Sequence, residues 1–351
     1  MNEINPGLFG LKKTNRDFTQ REAWGKNQFN SSFPAALCCY LASNDMQANY
    51  LAISNGKLSP SLISIKDVFG IKADDADAYF AFEAQHTPYQ KFVIGALPRT
   101  DLVIQKESSG ECLTGLEVKL TALPDNTTCD LAETLYGSEI VVRPDTIVYL
   151  ACSIAAGFTT EALSDLLPVI KVQDWSDASL VLAKITEIVT AIESISVALE
   201  PNQHAFLLQP VWKTLGKSPE LAENCLDMFV WSNAGFSNFI SSIANKNPNS
   251  TKITRQTRTA IWLYKMLSDI KEHKKFNHAQ IIDSLSYNTK NDKAFASAGT
   301  VTNKYMSCPR LIKPAITKAE IKHIILGGGQ HLLSPERRFD AILFNSPSLF
   351  A

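Results

Sequence analysis

The sequence predicts an α/β fold: a mixed central sheet flanked by helices, followed by a mainly helical C-terminal region. Three observations carry that prediction. Two short apolar runs, Leu102-Val103-Ile104 and Leu116 to Leu120, flank the polar turn E-S-S-G-E-C and read as an antiparallel β-hairpin. A further strand-like run, Ala205-Phe-Leu-Leu-Gln-Pro-Val-Trp212, arrives only after several helical segments, which fits an α/β core better than an all-β one. From Ser218 onward the apolar spacing is helical.

Taken in order, residues 1–28 are polar, with Lys12, Lys13, Arg16, Arg21 and Lys26 against Asp17 and Glu22; they read equally as a basic arm or a solvated segment. Ser31 or Ser32 caps a helix whose first turn holds Pro34 and whose body, Ala35 to Leu41, is buried. Tyr50-Leu-Ala-Ile-Ser and Leu62 to Ile65 read as short strands around an Asn55-Gly56 turn. Asp74 to Gln85 is acidic and aromatic, and Lys91 to Leu97 (K-F-V-I-G-A-L) reads as a strand leading into the hairpin. After Lys119 the run T-A-L-P-D-N-T-T is a loop. Ser138 to Arg143 is a short extended piece. Pro144 then opens a helix with Ile147, Leu150, Ala151 and Ile154 at helical spacing, and Ser176 to Leu199 reads as one longer amphipathic helix.

In the C-terminal part, Leu226 to Ile243 is rich in aromatic residues (Trp231, Phe236, Phe239) that suit a core. Lys252 to Lys275 is the most basic stretch, with Lys252, Arg255, Arg258, Lys265, Lys271, Lys274 and Lys275 against Asp269 and Glu272. Trp262, Tyr264 and Met266 interleave with these charges. Arg255 and Arg258 are three apart on one side of a helix start, as a groove-reading or phosphate-binding element needs; a solvated helix face explains the same spacing. Phe295 to Lys313 is a polar loop with basic tips. Gly327-Gly-Gly329 lacks the Lys-Ser/Thr of a phosphate-binding loop and reads as a flexible turn.

Composition bounds the setting. The 351 residues suffice for one large domain or two. Hydrophobic content of 45% and charged content of 20% are those of an ordinary soluble protein. A net charge of −1 excludes a globally basic coat, so any nucleic-acid binding must rest on local patches. The seven cysteines form no C-x-x-C pair, which gives neither a disulfide framework nor a zinc signature, and adjacent Cys38 and Cys39 read as packed thiols. The N-terminus lacks a signal-peptide core, and the longest apolar run, Ile147 to Phe158, is about a dozen residues and too short to span a bilayer. The expected location is cytoplasmic, with no membrane partner.

The chemistry concentrates on the hairpin. Asp101 opens its first strand, and Glu117 and Lys119 stand two apart on its second. Residues i and i+2 of a strand share a face, so Glu117 and Lys119 project together, away from Leu116 and Val118 and on an exposed polar face. Two carboxylates at one strand end offer hard oxygen donors to Mg²⁺, and a lysine beside them can orient or deprotonate a water. A salt-bridged surface face is the plainer explanation of the same residues. Asp269-Ile-Lys271, Glu272-His-Lys274 and Glu320-Ile-Lys322 repeat the acid-x-Lys spacing, but in helical stretches where acid and base face different sides.

This arrangement resembles the Pro-Asp…Asp/Glu-x-Lys signature of the restriction-endonuclease-like nucleases. Arg99 and Thr100 separate Pro98 from Asp101, so the leading pair is stretched, while Glu117-Val-Lys119 is intact. Three stretches, N-Q-F-N-S-S-F-P-A-A-L (27–37), T-G-L-E-V-K-L-T-A-L-P-D (114–125) and A-F-L-L-Q-P-V-W-K-T (205–214), resemble the HindVP/HgiDI family of type II restriction endonucleases. The resemblance runs over residues 5–300. It implies a restriction-endonuclease-like core at residues 1–215, DNA-contacting arm included. Residues 216–351 would form a mainly helical DNA-recognition and dimer region, separate or integrated with the core.

The resemblance further implies a homodimeric, Mg²⁺-dependent enzyme that cuts both strands of double-stranded DNA within a short palindrome, GRCGYC (R purine, Y pyrimidine), leaving 5′-phosphate ends. A DNA methyltransferase would be its functional, non-physical partner in a restriction-modification system. Asp101 and Glu117 become metal ligands, with the Val118 backbone carbonyl and Glu83 as further candidates, and Lys119 becomes the catalytic lysine. Arg255, Arg258, Lys252 and Lys265 become the candidate DNA contacts. Two other classes stay open: a structure-specific or non-specific repair nuclease of the same fold, and a catalytically silent DNA-binding or scaffold protein.

Overall fold

Asn55 and Gly56 both take positive φ, 51° and 71°, the backbone that a tight two-residue hairpin turn requires. They join β1 (Ala48–Ser54) to β2 (Lys57–Ile63), which pair from Ser54↔Lys57 to Ala48↔Ile63. The strand expected to run to Ile65 stops at Ile63. Ser64 instead caps α1 (Ile65–Phe69), its side chain accepting the Asp67 N–H, and Gly70 ends that helix in the left-handed conformation. The structure is a computed structural model that describes residues 33–34, 37–38, 40–71, 77–119, 140–214, 221–287, 295–297 and 314–326. The basic arm at 1–28, the loop after Lys119, residues 298–313 and the triple glycine lie outside the described residues.

Strands β3 (Ala78–Ala84), β4 (Thr100–Lys106), β5 (Cys112–Val118), β7 (Ala205–Thr214) and β8 (Leu221–Ser232) join the first hairpin in one eight-stranded sheet. Its order is β2-β1-β8-β7-β5-β4-β3, with β10 (Ile316–Thr317) also on β8. The pairs β1–β8 and β5–β7 are parallel and the others antiparallel, so the sheet is mixed. The expected extended piece is β6 (Ile140–Val142). It pairs with β9 (Phe295–Ser297), so the loop expected from Phe295 begins as a short strand.

Both faces of the centre of the sheet are covered, while the edge strand β2 is largely exposed. Alternation along a strand sends Leu207, Val211, Phe229 and Trp231 into one layer and Leu208, Trp212, Met228 and Val230 into the other. The first layer packs under α2 (Pro144–Ala156), α5 (Ile185–Ala198), α6 (Asn233–Ile243) and α7 (Arg255–His273). The second packs against α1, α9 (Lys318–Leu326) and the buried helical residues Phe33 and Leu37. Phe33 stacks on Trp212, their ring centroids 5.7 Å apart. The helix opened by Pro144 is α2, and its apolar run belongs to the first core. Among the described residues no single helix is long and apolar enough to cross a membrane.

Three further expectations change. Leu221–Ser232 is a central strand rather than the start of the helical region, and it pairs antiparallel with β7. Lys91–Leu97 is not a strand: Thr87–Phe92 forms a 3₁₀ helix and the rest is irregular, with an isolated bridge from Val93 to Phe276. Ser176–Leu199 is two helices, α4 (Ala178–Leu182), capped by the Asp177 carboxylate, and α5, with the break at Ala183-Lys184. Further helices are α3 (Thr160–Leu166) and α8 (His278–Ser284).

Candidate active site

Strand register alone puts three carboxylates in a row. Phe82 pairs with Leu102 and Ala84 with Thr100, so Glu83 stands beside Asp101; Leu102 pairs with Leu116, so Asp101 stands beside Glu117. Phe82, Leu102 and Leu116 fill the layer against α1, and by alternation the acids face the α2 side. Glu83 itself takes φ of 53°, and the β3–β4 pairing skips it. A left-handed residue without the freedom of glycine stores strain of about 1–3 kcal/mol, and such strain gathers at functional sites.

At this end β5 leaves β4. The Val118 N–H donates to Asp101 Oδ2 at 2.8 Å, and the Lys119 N–H donates to the Leu208 carbonyl of β7 at 2.9 Å. That bend turns the Lys119 ammonium back between the acids, 2.8 Å from Glu117 Oε2 and 3.8 Å from Asp101 Oδ2. Two hydroxyls complete the shell of Glu117. Thr100 lies 3.2 Å from Oε1 and also reaches the Leu116 carbonyl, and Thr146, in the first turn of α2, donates to Oε2 at 3.3 Å.

The segment that delivers Asp101 is irregular but held. Gln90 donates to the Gly95 carbonyl at 2.9 Å and accepts the Leu97 N–H at 3.3 Å, and the Gln85 side chain donates to the Leu97 carbonyl. Tyr149 of α2 donates to the Pro98 carbonyl at 2.8 Å and accepts the His86 N–H at 3.2 Å. Phe276, just past α7, exchanges backbone bonds with Phe92 and Ile94, both at 2.9 Å.

At Glu117 and Lys119 the expected exposed polar face is instead buried, while Asp101 keeps 25% of its side chain exposed. The α2 side of the hairpin is covered, and only 4% of Glu117 and 11% of the Lys119 side chain remain exposed. The pair is therefore a buried one, unlike a solvated salt-bridge face. Burial pushes the Asp101 carboxyl up to about 6, with Glu117 and Glu83 adding to the rise and Lys119 and the Val118 N–H opposing it. Burial alone would lower the Lys119 pKa, but the Glu117 and Asp101 carboxylates raise it above its ordinary value, so the lysine is a cation here. Asp145, in the first turn of α2, is also raised, by burial first and then by the charge of Glu117.

The donors suit a hard cation, since Asp101 and Glu117 present oxygen only and carboxylates outnumber the cations between them. Among the described residues no group of three or more His, Cys, Asp or Glu is close enough to hold a metal by itself. Two carboxylates are what Mg²⁺ commonly takes from a protein while keeping several waters.

Sequence reasoning missed Thr100, Thr146, Asp145 and Arg143. Thr100 meets Glu117 through the pairing of β4 with β5, and the path of α2 over the sheet brings in the other three. The four candidate DNA contacts do not form one exposed face on α7. Arg258 is buried, its guanidinium over the Trp262 ring at 4.5 Å, because its side of α7 faces the core. Lys265 pairs with Asp269. Lys252 is exposed and Arg255 half-buried, both at the start of α7. The other end of that 19-residue helix leads to the site, through Phe276 to His278 beside the Ala96 carbonyl at 3.1 Å, so Arg255 lies ~27 Å away along the helix. The competing acid-x-Lys pairs belong to α7 and α9, outside any hairpin.

The HindVP restriction endonuclease family matches residues 24–350. The chain is 52% identical over 350 residues to a protein named probable type II restriction enzyme HindVP, from Haemophilus influenzae, covering 99% of this chain and 96% of that one. It is 44% identical over 349 residues to type II restriction enzyme HgiDI of Herpetosiphon aurantiacus, covering 98% and 97%. No solved structure matches. Restriction enzymes act on DNA, and the hairpin with its buried acid–lysine cluster lies within the matched residues. The chain belongs to the HindVP restriction endonuclease family and is a type II restriction endonuclease.

Proposed function

We propose that Asp101, Glu117 and Lys119 form the catalytic centre of a site-specific endodeoxyribonuclease that hydrolyses both strands of double-stranded DNA. The observation that carries this reading is the Lys119 ammonium held between carboxylates from two adjacent strands, at the end where β5 leaves β4. Asp101 and Glu117 would hold Mg²⁺, with the Val118 carbonyl as a further donor; Glu83 does not group closely enough with the two acids to share an ion and drops out as a donor. Bound there, the ion supplies Lewis-acid polarisation of the phosphoryl oxygen and a more acidic water.

The protein's own residues do the rest. A phosphodiester anion repels attacking hydroxide, and a row of carboxylates adds to that repulsion. Lys119, kept protonated by Glu117 and Asp101, offsets charge on the phosphoryl oxygens and orients the attacking water. Thr100 and Thr146 hold Glu117 in one rotamer. Attack in line with the 3′ oxygen breaks the P–O3′ bond and leaves 5′-phosphate and 3′-hydroxyl ends.

A palindrome is read most simply by two subunits related by a two-fold axis, so the working form is a homodimer. Residues 216–351 would supply recognition and dimer contacts, although β8 belongs to the central sheet. Lys252 and Arg255 remain candidates for flanking phosphates; buried Arg258 and paired Lys265 do not. The family resemblance suggests GRCGYC as the site, a cytoplasmic location and a methyltransferase that protects the same sequence. Digestion of a sequenced plasmid with Mg²⁺, followed by sequencing of the ends, tests the reading. Discrete fragments cut at one palindrome support it. A smear indicates a repair-type nuclease, and intact DNA a silent DNA-binding protein.

A further inference from the structure

Arg143 precedes the proline that opens α2 and makes no capping hydrogen bond with its side chain. It is exposed, and no hydrogen bond or ion pair engages its guanidinium among the described residues. Three residues on, Thr146 donates to Glu117, so the turn that carries Arg143 is anchored to the acid row. The charge of Arg143 reaches the centre, where it counts against the rise that Glu117 and Asp101 produce in Lys119 and that burial and Glu117 produce in Asp145.

A cation in that position meets a specific need. Lys119 is engaged by Glu117 at 2.8 Å and faces Asp101 at 3.8 Å, so it cannot grip two phosphate oxygens without giving up those partners. Asp101, Glu117, Glu83 and Asp145 all repel an approaching phosphodiester. A guanidinium presents a planar fork that matches two oxygens of a phosphate and stays charged at any working pH.

We propose that Arg143 is a catalytic residue that grips the non-bridging oxygens of the phosphodiester being cut. This rests on the reading of Asp101, Glu117 and Lys119 as the nuclease centre. Its contact strengthens as charge gathers on those oxygens, so its loss falls mainly on the chemical step.

The test compares wild type, Arg143→Ala, Arg143→Lys and Lys119→Met on plasmid DNA. Single-turnover cleavage is measured with Mg²⁺, DNA affinity with Ca²⁺ at several salt concentrations, and thermal melting for each protein. Arg143→Ala should cut about a hundredfold more slowly, the scale for losing one donor aimed at developing charge. Arg143→Lys should recover part of that loss, because a point charge replaces half of the fork. Melting should not move, since the side chain is exposed, and the salt slope should fall by about one phosphate contact.

Cleavage by Arg143→Ala within about threefold of wild type overturns the proposal. So does an equal loss in both Arg143 variants with a lower melting temperature, which marks a helix-start role. Failure of the underlying reading looks different: Lys119→Met would cut like wild type, or wild type would not cut. In the latter case the salt slope alone decides, and an unchanged slope in Arg143→Ala overturns the phosphate contact.

Discussion

Tyr149 donates to the Pro98 carbonyl at 2.8 Å while accepting the His86 N–H at 3.2 Å. One buried hydroxyl of α2 thus fastens both ends of the irregular segment between β3 and β4, three residues before Asp101. Tyr149→Phe should cost about 1–2 kcal/mol, because a buried N–H and a carbonyl lose their partner. Cleavage should slow further than the stability loss explains, since Asp101 is no longer fixed against β5. Urea unfolding and single-turnover cleavage measured side by side check this; a variant equal to wild type in both would show that the segment is held without Tyr149.

Asp101 makes the stability of the metal-free protein depend on pH. Its carboxyl is pushed up to about 6, above an unfolded value near ~3.9. Between those values the native state binds the proton more tightly. The contribution of this group is therefore full below the unfolded pKa and is lost as pH rises through about 6. Asp101→Asn should remove that slope. Urea denaturation without divalent ions, from pH 4 to 7, should show wild type losing ground to the variant as pH rises, and parallel curves would contradict the assignment.

Arg258 should behave as a core residue. Its guanidinium lies over Trp262 at 4.5 Å in a buried position. Arg258→Ala should cost about 2–3 kcal/mol of stability through lost packing and the lost cation–π contact. The salt dependence of DNA binding should not change. A lower salt slope with unchanged stability would return this residue to the DNA surface.

What the sequence revealed depended on whether one strand or several decide the outcome. The hairpin around Gly110 and the Asn55-Gly56 turn were legible because alternation and turn chemistry are local. Leu221–Ser232 was not. Its polar residues Glu223, Asn224 and Asp227 break any alternation, and the short apolar run Met228 to Trp231, buried on both faces, is one that periodicity cannot tell from a buried helix. Lys91–Leu97 has strand-like residues, but Gln90 and Tyr149 hold it in an irregular path. Spacing put Glu117 and Lys119 on one face. It could not say that α2 covers that face, and the same tertiary contact hid Thr146 and Asp145.

The central claim, that Lys119 between Asp101 and Glu117 is where DNA is cut, is tested most directly by cleavage with Lys119→Met. The lysine is buried, so alanine would leave both a void and two facing carboxylates; methionine keeps the apolar stem, and Ca²⁺ can balance the acids in the binding assay. The account predicts a protein that folds and binds plasmid DNA in Ca²⁺ as wild type does, with single-turnover cleavage in Mg²⁺ slower by about 10²–10⁴-fold. Cleavage at the wild-type rate would contradict it and move the active site away from this hairpin.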